Sequence, residues 1–180
     1  MNALNIALAD VFGVSQGGMI ALALTLEHPD CVTKLVLGVT ASRTNKNIKN
    51  IVSKWVNCAQ NNDHITINND TFSLMYSEAY LKQYKLLMPL LVRMIKPKDF
   101  KRFAILASAI LEFDCHDRLN EIKCPVFVLG GEQDRISTAE ASIEIAEKLN
   151  CKIHMYPKYG HAAYEEAKDF NNKVYDFLIK

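Results

Sequence analysis

Four short apolar runs punctuate the chain, and each gives way to glycine or to a polar turn. They are Ala9-Asp10-Val11-Phe12, Lys34-Leu35-Val36-Leu37-Gly38-Val39, Pro125-Val126-Phe127-Val128-Leu129 and Lys152-Ile153-His154-Met155-Tyr156. The second and third are continuous over a strand's length and suit parallel strands buried on both faces; the first and last read as further strands. Between them the period changes to that of a helix. Met19 to Leu24 opens a helical stretch that runs to about Glu27, where His28-Pro29-Asp30 ends it, because the residue before a proline is pushed out of helical geometry. Ser137 or Thr138 is placed to cap a helix through Leu149, with Glu140 and Glu144 on its early turns. Tyr164 to Ile179 predicts a closing amphipathic helix with Phe170, Val174, Phe177 and Leu178 on one face. Leu4 and Leu8 share a face, so Met1 to Ala7 reads as the last turns of a further helix. The alternation predicts an α/β fold of about four parallel strands flanked by helices.

Residues 40–123 break the alternation. No strand pattern occurs there, and helical patterns follow at about Asn47–Gln60, Asp70–Ser77, Glu78–Ile95 and Lys98–Leu111. The stretch reads as a helical cap inserted between strands, leaving 1–39 and 124–180 as the core. Pro89 should kink or divide the third helix. Its apolar stripe of Leu86, Leu87, Leu90, Leu91, Met94 and Ile95 suits packing, the commoner role, or a pocket wall. Trp55, Tyr76, Tyr80 and Tyr84 carry the same two readings.

Composition narrows the class. At 180 residues, 49% hydrophobic and 23% charged, the chain is an ordinary globular sequence long enough for one substantial core. A formal net charge of +1 gives no broad field for nucleic acid or an anionic membrane. The basic cluster Lys96 to Arg102 is interrupted by Asp99 and reads as a solvated face. No apolar run approaches the roughly 20 residues that span a bilayer. Five cysteines, Cys31, Cys58, Cys115, Cys124 and Cys151, lack Cys-x-x-Cys spacing. That suggests neither a disulfide framework nor a zinc site, and it fits a reducing cytoplasm. Cys115-His116 is a weak metal candidate without a second ligand pair.

The chemistry gathers at strand ends. Gly13-Val14-Ser15-Gln16-Gly17 lies between the first strand and the first helix, the setting of a nucleophile elbow. There the glycines leave room for a strained turn that lifts the Ser15 hydroxyl clear, and the Gln16 backbone N–H faces a developing oxyanion. Glu132-Gln133-Asp134 follows the third strand and Gly160-His161 the fourth, so Ser15, Asp134 and His161 should converge on one edge of the sheet. Taken singly, Asp134 also reads as a turn residue and His161 as a helix cap; in the order Ser, Asp, His they suit nucleophilic catalysis without metal or cofactor. His154, the rival histidine, lies mid-strand.

Over its whole length the chain resembles the α/β-hydrolase superfamily, in Gly13-Val14-Ser15-Gln16-Gly17-Gly18-Met19, Gly131-Glu132-Gln133-Asp134 and Gly160-His161-Ala162-Ala163, and is similar to its bacterial esterase and enol-lactonase-type members. The resemblance implies a serine hydrolase of carboxylic esters, thioesters or lactones, with residues 40–123 as the lid that shapes specificity. Some members carry the acid after the earlier strand, but Gly38-Val39-Thr40-Ala41-Ser42 offers no carboxylate, so Asp134 keeps the role. Members also carry four further strands before the elbow and a loop, often rich in His-Gly, that supplies a second oxyanion N–H. Here 14 residues precede Ser15 and no His-Gly pair occurs. The expectation is therefore a partial fold lacking the N-terminal third, with activity impaired by truncation, since one missing oxyanion donor costs on the order of 10²- to 10³-fold. The strand at 9–14 should be an unpaired apolar edge prone to association. The alternative is a non-catalytic remnant or binding module. A nucleotide-binding module is weaker still, since neither glycine-rich phosphate motif is present.

Overall fold

Four parallel strands form one sheet in the order β1-β2-β3-β4: β1 Ala9–Val14, β2 Val32–Gly38, β3 Val126–Gly131 and β4 Lys152–Tyr156. The computed structural model describes residues 5–180. Alternating side chains explain why the inner strands read as continuous apolar runs. Leu35, Leu37, Val126 and Val128 face one core with Leu22, Leu26 and Ile145. Val36, Phe127 and Leu129 face a second with Tyr156, Phe170 and Val174. Burying both faces removes any need for polar alternation.

Helices α1 (Gln16–Glu27) and α7 (Ala139–Leu149) cover the first face; the short α8 (Ala163–Glu166) and α9 (Phe170–Leu178) cover the second. The single closing helix expected from Tyr164 onward is thus two helices, because Ala167 to Asp169 leave helical geometry between them. Of the expected helix at 1–7, Asn5 lies in a turn and Ile6 and Ala7 are not helical; residues 1–4 lie outside the described residues. β1 pairs only with β2 among the described residues, so its outer side is a sheet edge beside exposed Leu8, Phe12 and Ile20.

Five helices lie between β2 and β3: α2 (Lys46–Gln60), α3 (His64–Met75), α4 (Glu78–Gln83), α5 (Met88–Met94) and α6 (Phe100–Leu111). The second begins well before the expected Asp70, because Asp63 accepts the Thr66 N–H at 3.0 Å and starts it there. The third divides at Pro89, which occupies the first turn of α5. Most of its apolar stripe fills neither expected role, Leu91 alone being half-buried. Leu86 is 93% exposed, and Leu87, Leu90, Met94 and Ile95 are exposed too. Only Val92 is buried on α5, a helix of seven residues held to α3 by one face, where Asn68 donates to Val92 O and Ile95 O. The insertion rests on the sheet's carboxyl end through Met19, Ile48, Val52, Ala107 and Ala141.

The two ends of the insertion are fastened side by side. Thr44 N–H donates to Phe113 O at 2.9 Å and Cys115 N–H to Ser42 O at 2.8 Å, flanking an antiparallel bridge between Arg43 and Asp114. His116 spends its Nδ1 here, 3.1 Å from Ser42 Oγ. No cluster of three metal-ligating side chains exists among the described residues. No described helix is long and apolar enough to cross a membrane.

Candidate active site

Ser15 stands between the last residue of β1 and the first of α1 with φ 53° and ψ −123°, a backbone region that residues with a Cβ avoid. Neighbours hold it there. Its N–H donates to Gly38 O at 2.9 Å, and its carbonyl accepts from Gly18 N–H at 2.9 Å and from Thr40 Oγ1 at 2.7 Å. Gly13 leaves the required space, since a Cβ there would fall 2.3 Å from Gly17 O. Gly17 itself has nothing within 4 Å of such a Cβ, so the second close approach belongs to Gly18, not to Gly17 as the pentapeptide suggests.

Asp134 and His161 reach the same edge on two loops tied backbone to backbone. Glu132 N–H donates to Tyr156 O at 3.0 Å and Gln133 N–H to Tyr159 O at 3.1 Å, which joins the turn after β3 to the turn after β4. His161 Nε2 then lies 2.8 Å from Ser15 Oγ, and His161 Nδ1 lies 2.9 Å from Asp134 Oδ2. Both His161 and Asp134 are buried. Asp134 Oδ1 accepts the N–H groups of Ile136 and Ser137 at 2.8 and 3.0 Å. Burial pushes the Asp134 carboxyl up, but the hydrogen bond and charge of His161, with the Ile136 N–H, outweigh it and hold it below the usual aspartate range.

Gln16 is the first residue of α1, and no acceptor among the described residues takes its N–H. A free donor at a helix N-terminus beside Ser15 Oγ is suited to negative charge. The Gln16 side chain reaches the other way, donating to Leu106 O of α6 at 2.6 Å.

Ser15, Gln16, Ser137 and His161 open onto a cavity of about 220 Å³ whose other walls are largely apolar, among them Met19, Val52, Trp55, Met75, Phe103 and Ile110. Trp55 and Met75 come from the insertion; Tyr76, Tyr80 and Tyr84 instead stack in a ladder with ring centroids 4.4 and 4.5 Å apart. His154 stays in β4, edge-on to Tyr156, and lines a separate groove with Lys34 and Lys152.

One polar residue of the site went unread in the sequence. Ser137, expected at most as a helix cap, puts its hydroxyl 3.1 Å from both His161 Nδ1 and Asp134 Oδ2 and 2.9 Å from Val39 O. Neither it nor Thr138 caps α7 by its side chain. The spacing Asp134-x-x-Ser137 is the one signal that could have revealed it.

The last turn of α3 is strapped to this edge. Met75 O accepts the Ala162 N–H at 2.9 Å, directly after His161. Arg135, directly after Asp134, donates to Ser73 O and Tyr76 O. Tyr76 Oη donates to Glu165 at 2.6 Å, and Glu166 accepts the Ser77 N–H at 3.0 Å and the Ser77 hydroxyl.

A serine held on a strained strand-to-helix turn, at the carboxyl end of a parallel sheet and within reach of a buried histidine, agrees with the family match that places the molecule among the α/β-hydrolases. The chain belongs to the family described as serine aminopeptidase, S33, which it matches over residues 9–168. It is 31% identical over 193 residues to a putative carbamate hydrolase RutD of Caulobacter sp. (strain K31), an alignment covering 99% of this chain and 68% of that protein. It is 28% identical over 192 residues to a 2-hydroxy-6-oxo-6-phenylhexa-2,4-dienoate hydrolase of Burkholderia cepacia, covering 99% of this chain and 65% of that one. The chain thus spans about two thirds of the length of these relatives. Among solved structures, the enol-lactonase from Burkholderia xenovorans LB400 superposes with a TM-score of 0.88 at 22% identity, over 100% of this chain and 69% of that one. That likeness is one of fold.

Proposed function

We propose that the chain is a serine hydrolase of small carboxylic esters, thioesters or lactones. The observation that carries this reading is the unbroken line Ser15 Oγ, His161, Asp134 at 2.8 and 2.9 Å, at the base of a mostly apolar cavity.

Each role follows from position. Ser15 Oγ attacks the substrate carbonyl while His161 Nε2 takes its proton, and the negative charge that forms on the carbonyl oxygen is met by the Gln16 N–H. His161 returns the proton to the leaving alcohol or thiol, which departs (or, from a lactone, stays attached at the far end of the acyl chain) and leaves an acyl group on Ser15. Water then repeats the attack with His161 as base, releasing the acid and restoring Ser15. Asp134 accepts the Nδ1–H throughout, so that Nε2 is the basic nitrogen, and its charge stabilises the imidazolium. The insertion serves as a lid, because Trp55, Met75 and Phe103 form cavity wall that the sheet alone lacks.

A fluorophosphonate probe tests the reading, with mass mapping of the adduct and turnover of p-nitrophenyl acetate in parallel. Label on Ser15, lost together with turnover in Ser15→Ala, is the expected result. Label on another serine such as Ser137, or turnover unchanged by Ser15→Ala, would overturn it.

A further inference from the structure

We propose that Ser137 is a positioning residue for His161, its hydroxyl oxygen supporting the imidazolium that forms when Ser15 gives up its proton. The proposal rests on the serine-hydrolase reading and deepens it.

Hydrogen-bond bookkeeping fixes the orientation. A serine hydroxyl has one proton to give and two lone pairs to receive with. Three polar groups surround Ser137 Oγ: Val39 O at 2.9 Å, Asp134 Oδ2 at 3.1 Å and His161 Nδ1 at 3.1 Å. Carbonyl and carboxylate oxygens only accept. His161 Nδ1 bears a hydrogen whenever Nε2 acts as base, so toward Ser137 it donates. The Ser137 proton therefore goes to one of two oxygens. The Val39 carbonyl is the nearer, and no other donor among the described residues reaches it. Directed there, the proton leaves the negative end of the hydroxyl dipole on His161 Nδ1, whose hydrogen is shared between Asp134 and Ser137.

The surrounding chain holds this one contact. Ser137 is 3% exposed and Val39 fully buried, so water does not replace either partner. Val39 has φ 42° and Thr138, the residue after Ser137, has φ 77°. Both are β-branched, and such residues rarely take positive φ. One strained residue supplies the acceptor and the other follows the donor. Bonding of a dipole to the charged form is stronger than to the neutral form, so the contact favours proton transfer from Ser15 and not merely the resting structure.

The Ser137→Ala, Ser137→Thr and Ser137→Val variants of the full chain test this on p-nitrophenyl acetate, with Ser15→Ala as control. For Ser137→Ala the expectation is a loss of about tenfold in kcat with KM within about twofold, matching a hydrogen bond to a charged group. The acid limb of the kcat/KM profile should also move to lower pH, by about half a unit. A packing defect alone lowers the rate without moving the limb that way. The other ionisable groups near the pair are Tyr164 in the cavity, and Tyr76, Glu78, Glu132 and Arg135 in the groove behind Asp134; all are unchanged in these variants. Ser137→Thr, which keeps the hydroxyl, should recover both rate and limb, and Ser137→Val, of the same shape without it, should not. If Ser137→Ala fails to fold, the Thr and Val pair decides on the same readouts. Wild-type rate and limb in the Ala variant, or equal values for Thr and Val, would overturn the proposal while Ser15-dependent turnover persists. Absence of Ser15-dependent turnover in the wild type would instead sink the hydrolase reading on which it rests.

Discussion

Thr40 Oγ1 donates to the Ser15 carbonyl at 2.7 Å, and the same side chain fills the space where a Cβ on Gly18 would stand, 2.6 Å from Thr40 Cβ. The turn that raises Ser15 is therefore clamped by a residue just past the end of β2. Gly13→Ala should be the most damaging change in the turn, because its Cβ meets backbone that cannot swing aside; a loss of several kcal/mol or failure to fold is expected, as for other overpacked or strained sites. Gly18→Ala should cost about 1–3 kcal/mol through displacement of Thr40. Gly17→Ala should be neutral or stabilising, since it lies in the first turn of α1 with open space around it. Thermal midpoints of the three variants check this order, and a Gly17→Ala loss equal to that of Gly13→Ala would refute it.

Strain at Ser15 opposes stability. A residue held in such a region costs about 1–3 kcal/mol, whereas glycine tolerates it at about 0.5–1 kcal/mol of extra unfolded-chain entropy. Ser15→Gly is expected to raise the denaturation midpoint while abolishing turnover. A lower midpoint would mean that the Ser15 hydroxyl contributes more to folding than its backbone withholds.

The depressed Asp134 carboxyl sets an acid limit. Its folded pKa lies below its unfolded value, so the folded state binds its proton less readily than the unfolded chain does. The contribution is fully present above the unfolded value of about 3.9 and is lost as pH falls through the folded one. Denaturant titrations of the wild type and Asp134→Asn should therefore differ most near neutrality and converge below about pH 4. Turnover of Asp134→Asn should fall by about 10⁴. A stability gap that widens on acidification would contradict the sign.

The strap from α3 to the His161 loop predicts a division between binding and chemistry. Tyr76→Phe removes the bond to Glu165, and Glu166→Gln weakens the one to Ser77. Burial first, then the Glu165 hydrogen bond and charge, push the Tyr76 hydroxyl well above the ordinary tyrosine range, so it is a donor near neutral pH. Both variants should raise KM about three- to tenfold, with faster amide exchange across 71–77, and lower kcat less. A loss confined to kcat would place the strap's effect on His161 alone.

The sheet was legible because its inner strands are buried on both faces: Leu35 to Leu37 and Val126 to Leu129 leave a continuous apolar mark that needs no tertiary context. Ser15, Asp134 and His161 could be placed together for a related reason, each following a strand by a few residues at the same end of the sheet. Ser137 escaped because its partners are a carbonyl 98 residues away in sequence and a histidine 24 residues away, and a serine before a helix has a local explanation ready. The motif names Gly17 rather than Gly18, whereas the need for space comes from Thr40, two residues past the end of β2. The start of α3 was hidden in Asn61-Asn62-Asp63, which reads as loop until Asp63 is seen to accept from Thr66. The stripe from Leu86 to Ile95 misleads because a helical period shows that one face is apolar, not that anything covers it.

The paired hydrogen bonds of residues 42–44 with 113–115 have a further consequence. They draw the insertion shut at its root, so its two ends leave the sheet almost where they return. A closed root separates what lies above from what lies below. Enlarging the span between Asn45 and Glu112 costs the closure only slowly, about 0.6 kcal/mol for each doubling of length, while β2, β3 and the turns bearing Ser15, Asp134 and His161 keep their register. Another set of helices spliced between Thr44 and Phe113 would redraw the walls around Ser15 over the same closed root, and would have to supply again the ties that Met75, Tyr76 and Leu106 make to the turns beneath.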